Sequence, residues 1–290
     1  MYQFNRTTRL VLSNAEESLE VEELTVYFDI QKTLLGYPAR GRIVVYNLSE
    51  ENIQRITKRY TSVELYGGYV GNESLLFRGN ITNYYKDQSG PTGMFVLIVK
   101  SSTSAWEEST FTRTYKAGTP PSTIINEVAA SFKGVITGQI MTNPDWEPSL
   151  ADVTVMGSSR RIMDQLARDY NFDWNIVEDE VIAVPRGQTL QDQPLYVIDS
   201  NHGLIGIPVI TDLGVDFRIL LNPAIMLGRQ VELRGVQSVQ LGQQGTDFRK
   251  VRNTADGVYK VMDIRQSGSK RDVDWYYDIV AWGTNSETRN

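Results

Sequence analysis

No cysteine occurs among the 290 residues, so neither disulfides nor thiolate metal sites hold this fold together. Histidine occurs once, as His202. One imidazole without thiols is too small a donor set for an ordinary zinc site. Any Ser-His-Asp nucleophile would have to use that same residue. It lies in Asn201-His202-Gly203, a turn-like link, and reads as a loop histidine. No apolar run approaches the ~20 residues of a membrane helix, so no membrane-spanning segment is expected. The start, Met1-Tyr2-Gln3-Phe4-Asn5-Arg6, lacks the apolar core and small-residue cleavage site of a signal peptide. A basic excess is also missing, with 29 Lys and Arg against 35 Asp and Glu. Phosphate contacts dominate nucleic-acid affinity, so tight DNA binding is not expected. Passage of DNA along a neutral or acidic wall stays compatible, because such a wall does not hold phosphates.

The 41% of hydrophobic residues and the chain length suffice for two or three domains with a real core. Charge is uneven along the chain. Residues 1–103 carry 11 basic and 11 acidic side chains, residues 104–200 carry 7 and 14, and residues 201–290 carry 11 and 10. The acidity belongs to the middle third.

The first third is β-rich. Leu24, Val26, Phe28 and Ile30 alternate with polar neighbours at the period of a half-buried strand. Arg42 to Tyr46 is a second strand. Ser49 is placed to cap a short helix reaching about Lys58, with Glu50 and Glu51 in its first turn. Val63 to Tyr66 is a strand ending at Gly67-Gly68. Leu75 to Ile81 and Met94 to Lys100 pair across the polar turn Asp87-Gln88-Ser89-Gly90-Pro91. In the middle third, Thr119-Pro120-Pro121 starts a helix with Ile124, Ile125, Val128 and Phe132 as its apolar stripe. Ser158 starts another, with Ile162, Leu166 and Tyr170 on one face and Asn171 as its stop. Phe172, Trp174 and Ile176 then alternate into a hairpin that turns at Glu178-Asp179-Glu180 and returns over Val181 to Val184. The polar stretch Arg186 to Pro194 ends this insert. In the last third, Val215 to Ile219 and Gln230 to Leu233 are strands. Gly235 to Asp256 is too long for a routine hairpin loop, so it is mobile or ordered by a partner. Val258 to Arg265 and Val273 to Trp282 pair across Ser267-Gly268-Ser269. On the last strand Trp275, Tyr277 and Ile279 are expected to face the interior. Asp274, Tyr276 and Asp278 are expected to face a lumen or solvent.

The outer thirds echo one another. Val63-Glu64-Leu65-Tyr66-Gly67 matches Val231-Glu232-Leu233-Arg234-Gly235. Each is followed by a strand, a Ser-Gly pair and a long aromatic-rich strand. Two unrelated meanders with like turn chemistry would give this, and so would a duplicated β-barrel interrupted by the insert. A duplication has a use: three chains present six equivalent modules, so a three-fold ring can dock on a six-fold one.

These stretches also carry a family resemblance. "TVYFDIQK" from Thr25, "RGRIVVYNL" from Arg40, "VELYGGY" from Val63 and "LFRG" from Leu76 resemble the baseplate hub proteins of contractile phage tails, the late-control D-like family. So do "IMDQLARDYNFDWNI" from Ile162, "VIAV" to Val184, "GLIGIP" from Gly203, "LNPAIMLGRQVEL" from Leu221 and "GVYKVMDI" from Gly257. The resemblance spans nearly the whole chain in order. It implies an α+β, mostly β fold: two tube-type β-barrel domains, 1–103 and 201–290, separated by a small α+β insert domain, 104–200. It implies a structural virion component in the tail baseplate, synthesised in the host cytoplasm. Its partners would be two further copies in a homotrimer, the tail tube protein, the tail-tip spike or other baseplate proteins, and the tape-measure protein. DNA would be transiting cargo only.

Catalytic chemistry has little to stand on. Acids cluster at Glu107-Glu108, at Glu178-Asp179-Glu180 and at Asp272 with Asp274. Glycoside hydrolysis needs two carboxylates flanking one bond, but these read as solvated turn and strand-edge charge. Gly67-Gly68-Tyr69-Val70-Gly71 lacks the Lys-Ser/Thr and helix of a phosphate loop. No residue is put forward as catalytic, cofactor-binding or metal-ligating, and no cofactor is expected. The alternatives are a cell-wall hydrolase using a carboxylate pair and a β-sandwich glycan-binding module. The first predicts lost peptidoglycan turnover on mutating one acid pair. The second predicts a monomer with an exposed aromatic platform.

Overall fold

The computed structural model describes residues 5–87, 93–190, 194–237, 239–240 and 254–284. In the first third the chain forms β1 (Arg6–Ser13), β2 (Ser18–Val21), β3 (Val26–Thr33), β4 (Arg40–Tyr46), α1 (Glu50–Arg59), β5 (Ser62–Tyr69), β6 (Asn72–Asp87) and β7 (Met94–Lys100). Ser49 caps α1 as its sequence predicts, accepting the Asn52 N–H at 3.3 Å. Glu50 and Glu51 lie at the positive end, and Lys58 and Arg59 at the negative end. The middle third gives α2 (Thr103–Glu108), β8 (Thr110–Tyr115), α3 (Pro121–Ala130), β9 (Ile136–Ile140), β10 (Val153–Ser158), α4 (Ser159–Asp169), β11 (Phe172–Val177) and β12 (Glu180–Pro185). The last third gives β13 (Tyr196–Ile198), β14 (Leu204–Ile210), β15 (Gly214–Leu220), β16 (Gln230–Leu233), β17 (Val239–Gln240), β18 (Gly257–Ser269) and β19 (Trp275–Gly283). The protein is mostly β, as expected.

The outer thirds share one fourteen-stranded sheet. Its order is β17-β14-β15-β19-β18-β3-β4-β7-β6-β5-β1-β2, with β16 also on β18 and β13 on β16. The link is β3 against β18, antiparallel from Tyr27↔Ser269 to Thr33↔Asp263. One continuous apolar core underlies both thirds, from Leu10, Phe28 and Leu65 to Phe217, Leu233 and Ile279. The insert has its own core, where Trp106, Phe132 and Trp174 stack with ring centroids 5.4 and 5.5 Å apart.

Pairing order repeats between the two outer thirds. In chain order β3-β4-β5-β6-β7 pairs as β3-β4-β7-β6-β5, and β14-β15-β16-β18-β19 pairs as β14-β15-β19-β18-β16. Register repeats as well. Ser62 to Leu65 lie opposite Asn80 to Phe77, and Gln230 to Leu233 lie opposite Lys260 to Gly257. Val63-Glu64-Leu65 and Val231-Glu232-Leu233 therefore hold the same place in the pairing. Each long strand then bulges at the same step, between Ile81 and Asn83 in β6 and between Val261 and Asp263 in β18. A bulge adds one unpaired residue and bends the strand. Here it lets β6 and β18 each change neighbours partway along.

Some boundaries differ from the sequence reading. Gly67-Gly68 lies inside β5, not at its end, because the partner backbone comes so close that a Cβ on Gly68 would sit 2.2 Å from the Asn72 carbonyl. The pair Ser267-Gly268 is not a turn. It continues β18 because Phe28 and Trp275 occupy the space a side chain would take, each 2.8 Å from a Cβ built on Gly268. The reversal comes later, over Lys270 to Asp274. Of the other turn, Asp87 ends β6, and residues 88–91 lie outside the described residues. For the 235–256 stretch, residues 241–253 likewise lie outside them.

Candidate functional site: a charged sheet face and two strand edges

Strand alternation sends Trp275, Tyr277 and Ile279 into the core, as predicted from β19. The opposite face of β15, β19, β18 and β3 carries alternating charge in register: Arg218 beside Asp278, Asp278 beside Arg265, Arg265 beside Gln31. Arg218 grips Asp278 through two bonds, 2.6 and 3.1 Å, and its guanidinium lies 3.9 Å from the Tyr276 ring centre. Arg265 grips Asp29 at 2.8 and 2.7 Å. Such forked contacts fix orientation as well as charge. The Arg265 bond holds the Asp29 carboxyl below the usual carboxylate range, and Asp29 raises Arg265 in return. On the expected acidic face, Asp278 is thus paired with Arg218, and Asp29 with Arg265.

Two carboxylates on this face are not paired in that way. Asp216 on β15 and Asp263 on β18 both lie beside Val280 of the intervening β19. Burial raises the pKa of each, and for Asp216 the charge of Asp263 adds to the rise. Sequence alternation puts both on the outer face, but only the β15-β19-β18 pairing brings them to one row. The folded state thus holds their protons more tightly than the unfolded chain does. Their cost to stability grows as pH rises from the ordinary carboxylate range through the raised values. Asp216→Asn should accordingly raise the thermal midpoint near neutral pH and lose that advantage in acid. Calorimetry at the two pH values checks it, and an equal gain at both would contradict the electrostatic cause.

The insert is fastened to the segment that follows β3 and to β18. The Gly36 N–H donates to the Trp174 carbonyl, and Leu35 bridges Trp174 in parallel. Asn175 donates to the carbonyls of Thr33 and Tyr37. Asp173 accepts from Lys260 of β18 at 2.9 Å and from Arg186 at 3.1 Å. Asp173 and Lys260 are each only 3% exposed. The sequence reading of β11 found the alternation of Phe172, Trp174 and Ile176. Asp173 and Asn175 are buried too, because the strand is covered on both faces. A cavity of about 210 Å³ opens at this junction, lined by Tyr37, Asp164, Arg168, Asp173, Trp174 and Arg186. Burial raises the Asp164 carboxyl, which accepts from the Trp174 indole at 3.1 Å. Asp173 is committed to two cations.

The third feature is a pair of strand edges. β6 pairs with β5 as far as Asn80 and with β7 from Asn80 to Asp87. On the side that β5 leaves, Thr82 to Lys86 have no strand partner among the described residues. Thr82 to Lys86 are exposed, with Tyr84 at 44% and Tyr85 at 46%. The corresponding length of β18 is where β3 pairs. At the other end of the sheet, β14 is covered beyond β15, among the described residues, only by β17, at Val209 and Ile210. Ile207 and Leu213 stand exposed beside that stretch.

The sequence candidates stay apart from these features. His202 Nδ1 lies 2.7 Å from Asp199 Oδ1 in an exposed turn. Glu107 pairs with Lys100 and Glu108 with Lys133. Glu178 reaches Lys32, while Asp179 reaches Arg78 and accepts from Ser102. Among the described residues no group of three or more His, Asp or Glu could hold a metal, and no helix is long and apolar enough to cross a membrane.

Comparison with known proteins agrees with this architecture. A family model described as baseplate hub gp41 matches residues 9–240. No curated protein matches the chain by sequence. A tail protein from Neisseria meningitidis MC58 superposes with a TM-score of 0.60 at 11% identity, covering 96% of this chain and 97% of that one. The 43 kDa tail protein of prophage MuSo2 from Shewanella oneidensis gives 0.59 at 8% identity, covering 95% and 97%. The E. coli c3393 protein is a component of the type VI secretion system with structural similarity to the T4 tail proteins gp27 and gp5. It gives 0.58 at 10% identity, covering 96% of this chain and 77% of that one. At such identities the likeness concerns the fold.

Proposed function

The chain belongs to the baseplate hub gp41 family, structural components of the phage tail, and from that premise we propose that three copies close into a pseudo-hexameric ring joining the tail tube to the tail-tip spike. The observation that carries this reading is the repeated pairing order with its bulges at matching steps. One chain then offers two equivalent modules, and three chains offer six, which matches a six-fold tube on one side and a three-fold tip on the other. In this reading residues 1–103 and 201–290 are the two tube-type barrel domains, and residues 104–200 stand off as the insert domain. Tail tube protein, spike or other baseplate proteins, and tape-measure protein are the partners.

DNA crosses the ring as cargo. The alternating ion pairs Arg218–Asp278 and Arg265–Asp29 support that role, because a wall whose cations are already held by carboxylates offers little to phosphates. The work is mechanical and not enzymatic, and the ring belongs to the virion after synthesis in the host cytoplasm. Mass measurement of the protein in solution, with imaging of assembled tails, tests the reading. Three copies per baseplate are expected. A single copy in the assembled tail would end it, and peptidoglycan turnover by the purified chain would favour the hydrolase alternative.

A further inference from the structure

Basic side chains are scarce in the insert, and three of them stand at one cavity. Residues 104–200 hold seven Lys and Arg. Arg113, Lys116 and Lys133 are paired elsewhere, with Glu127, Asp152 and Glu108. Arg168 and Arg186 line the cavity of about 210 Å³ between the insert and the loop after β3. Arg160 stands beside it, 3.8 Å from Asp164. Arg186 gives only its Nε to Asp173, so its two outer nitrogens have no acceptor among the described residues. Arg168 feels the charge of Asp164 but makes no hydrogen bond or ion pair among the described residues. Gly36 lets the loop close over Asp164, since a Cβ there would come 2.9 Å from Asp164 Oδ1. At the rim Leu35 and Tyr37 are exposed, and the Arg160 guanidinium lies 5.3 Å from the Tyr37 ring centre.

We propose that this cavity takes a single acidic side chain, Asp or Glu, from a peptide segment of another protein. Its volume is below the roughly 300–1,000 Å³ of pockets that enclose drug-sized ligands, and it suits one side chain. A guanidinium presents paired N–H groups that match the two oxygens of a carboxylate. Asp164 and Asp173 share the lining with Arg168 and Arg186, and Arg160 and Lys260 stand behind the two acids. Four cations against two acids leave an excess of positive charge, in a chain whose net charge is −6. The two acids would repel a phosphate dianion about twice as strongly as a carboxylate, so the monoanion is favoured. Leu35 and Tyr37 at the rim then cover apolar residues on either side of the bound acid, and Tyr is a common interface anchor. The cavity is built within one chain, so it is present whether or not the ring closes.

The probe is acetyl-Leu-Glu-Leu-amide, with acetyl-Leu-Gln-Leu-amide as its neutral match and inorganic phosphate as the competing anion. The Trp174 indole donates to Asp164 at 3.1 Å on the cavity wall. Its N–H resonance, in protein carrying isotope-labelled tryptophan, therefore reports occupancy. The Glu peptide is expected to move that resonance to saturation at millimolar concentration, and the Gln peptide to leave it in place. Arg168→Gln should weaken the Glu peptide about tenfold or more, the scale of one hydrogen bond to a charged group. Arg168→Lys keeps the charge without the fork and should fall between. Arg168 is exposed near the end of α4, so neither variant disturbs the core. A resonance that stays put with the Glu peptide overturns the site. Equal movement with the Gln peptide, or undiminished binding by Arg168→Gln, does the same. Tighter binding of phosphate than of the Glu peptide overturns the choice of ligand.

Discussion

Asp173→Ala is expected to cost about 3–5 kcal/mol, the range for removing one partner of a buried ion pair. Asp173 and Lys260 are both almost wholly buried, 2.9 Å apart, with Arg186 completing the cluster. Two charges moved out of water gain little over well-packed apolar groups as long as both are present. The loss of one is different, because the Lys260 ammonium then keeps its desolvation cost without its carboxylate. The effect should concentrate where the insert meets the sheet, since Asp173 lies on β11 and Lys260 on β18. Denaturant unfolding measures the cost, and the double variant Asp173→Leu with Lys260→Met should recover much of it. If the single variant lost less than about 1 kcal/mol, the pair would be behaving as a surface bridge and the burial argument would fail.

Trp275→Ala should be of similar size, about 3–5 kcal/mol, as for other buried large-to-small changes. Trp275 is 1% exposed and packs edge-on against Phe28 at 5.9 Å and Tyr69 at 6.2 Å. Arg6 lies over its ring at 5.5 Å. One side chain therefore holds β19, β3, β5 and the start of β1 together. Its removal leaves a void where β18 is already thinned by Gly268. Hydrogen exchange distinguishes this from general loosening: amides from Tyr27 to Thr33 should lose protection before those of the insert. Trp275→Phe keeps a ring against Phe28 and should cost less.

Helices α1, α3 and α4 and most central strands were legible because their signals are local. Ser49 with Glu50 and Glu51, or Pro121 with Ile124, Ile125 and Val128, states a cap and a face within one or two turns. The Val-Glu-Leu echo was legible for the same reason, and the register puts both copies at the same step of the pairing. Other features depend on distant residues. Ser267-Gly268 has the composition of a turn, yet Phe28 packs over Gly268 from 240 positions away. Asp173 looks like the polar face of an exposed hairpin until Lys260 is brought against it. The Asp216 and Asp263 row needs the order β15-β19-β18, which no strand announces by itself. The short strands β2, β13 and β17 carry too few residues to show a period.

The β3–β18 pairing also sets a timetable for biosynthesis. Tyr27 to Thr33 leave the ribosome at least 230 residues before their partners Asp263 to Ser269. At about 5–20 residues per second, roughly ten seconds to under a minute separate the two. Throughout that interval β3 has β4 on one side and nothing from its own chain on the other. A nascent hub is thus an incomplete sheet with a sticky margin, and a second ribosome on the same message supplies identical margins nearby. Slow codons or a pause within the insert would lengthen the exposure, so the chain's yield should depend on chaperone supply more than its finished stability suggests.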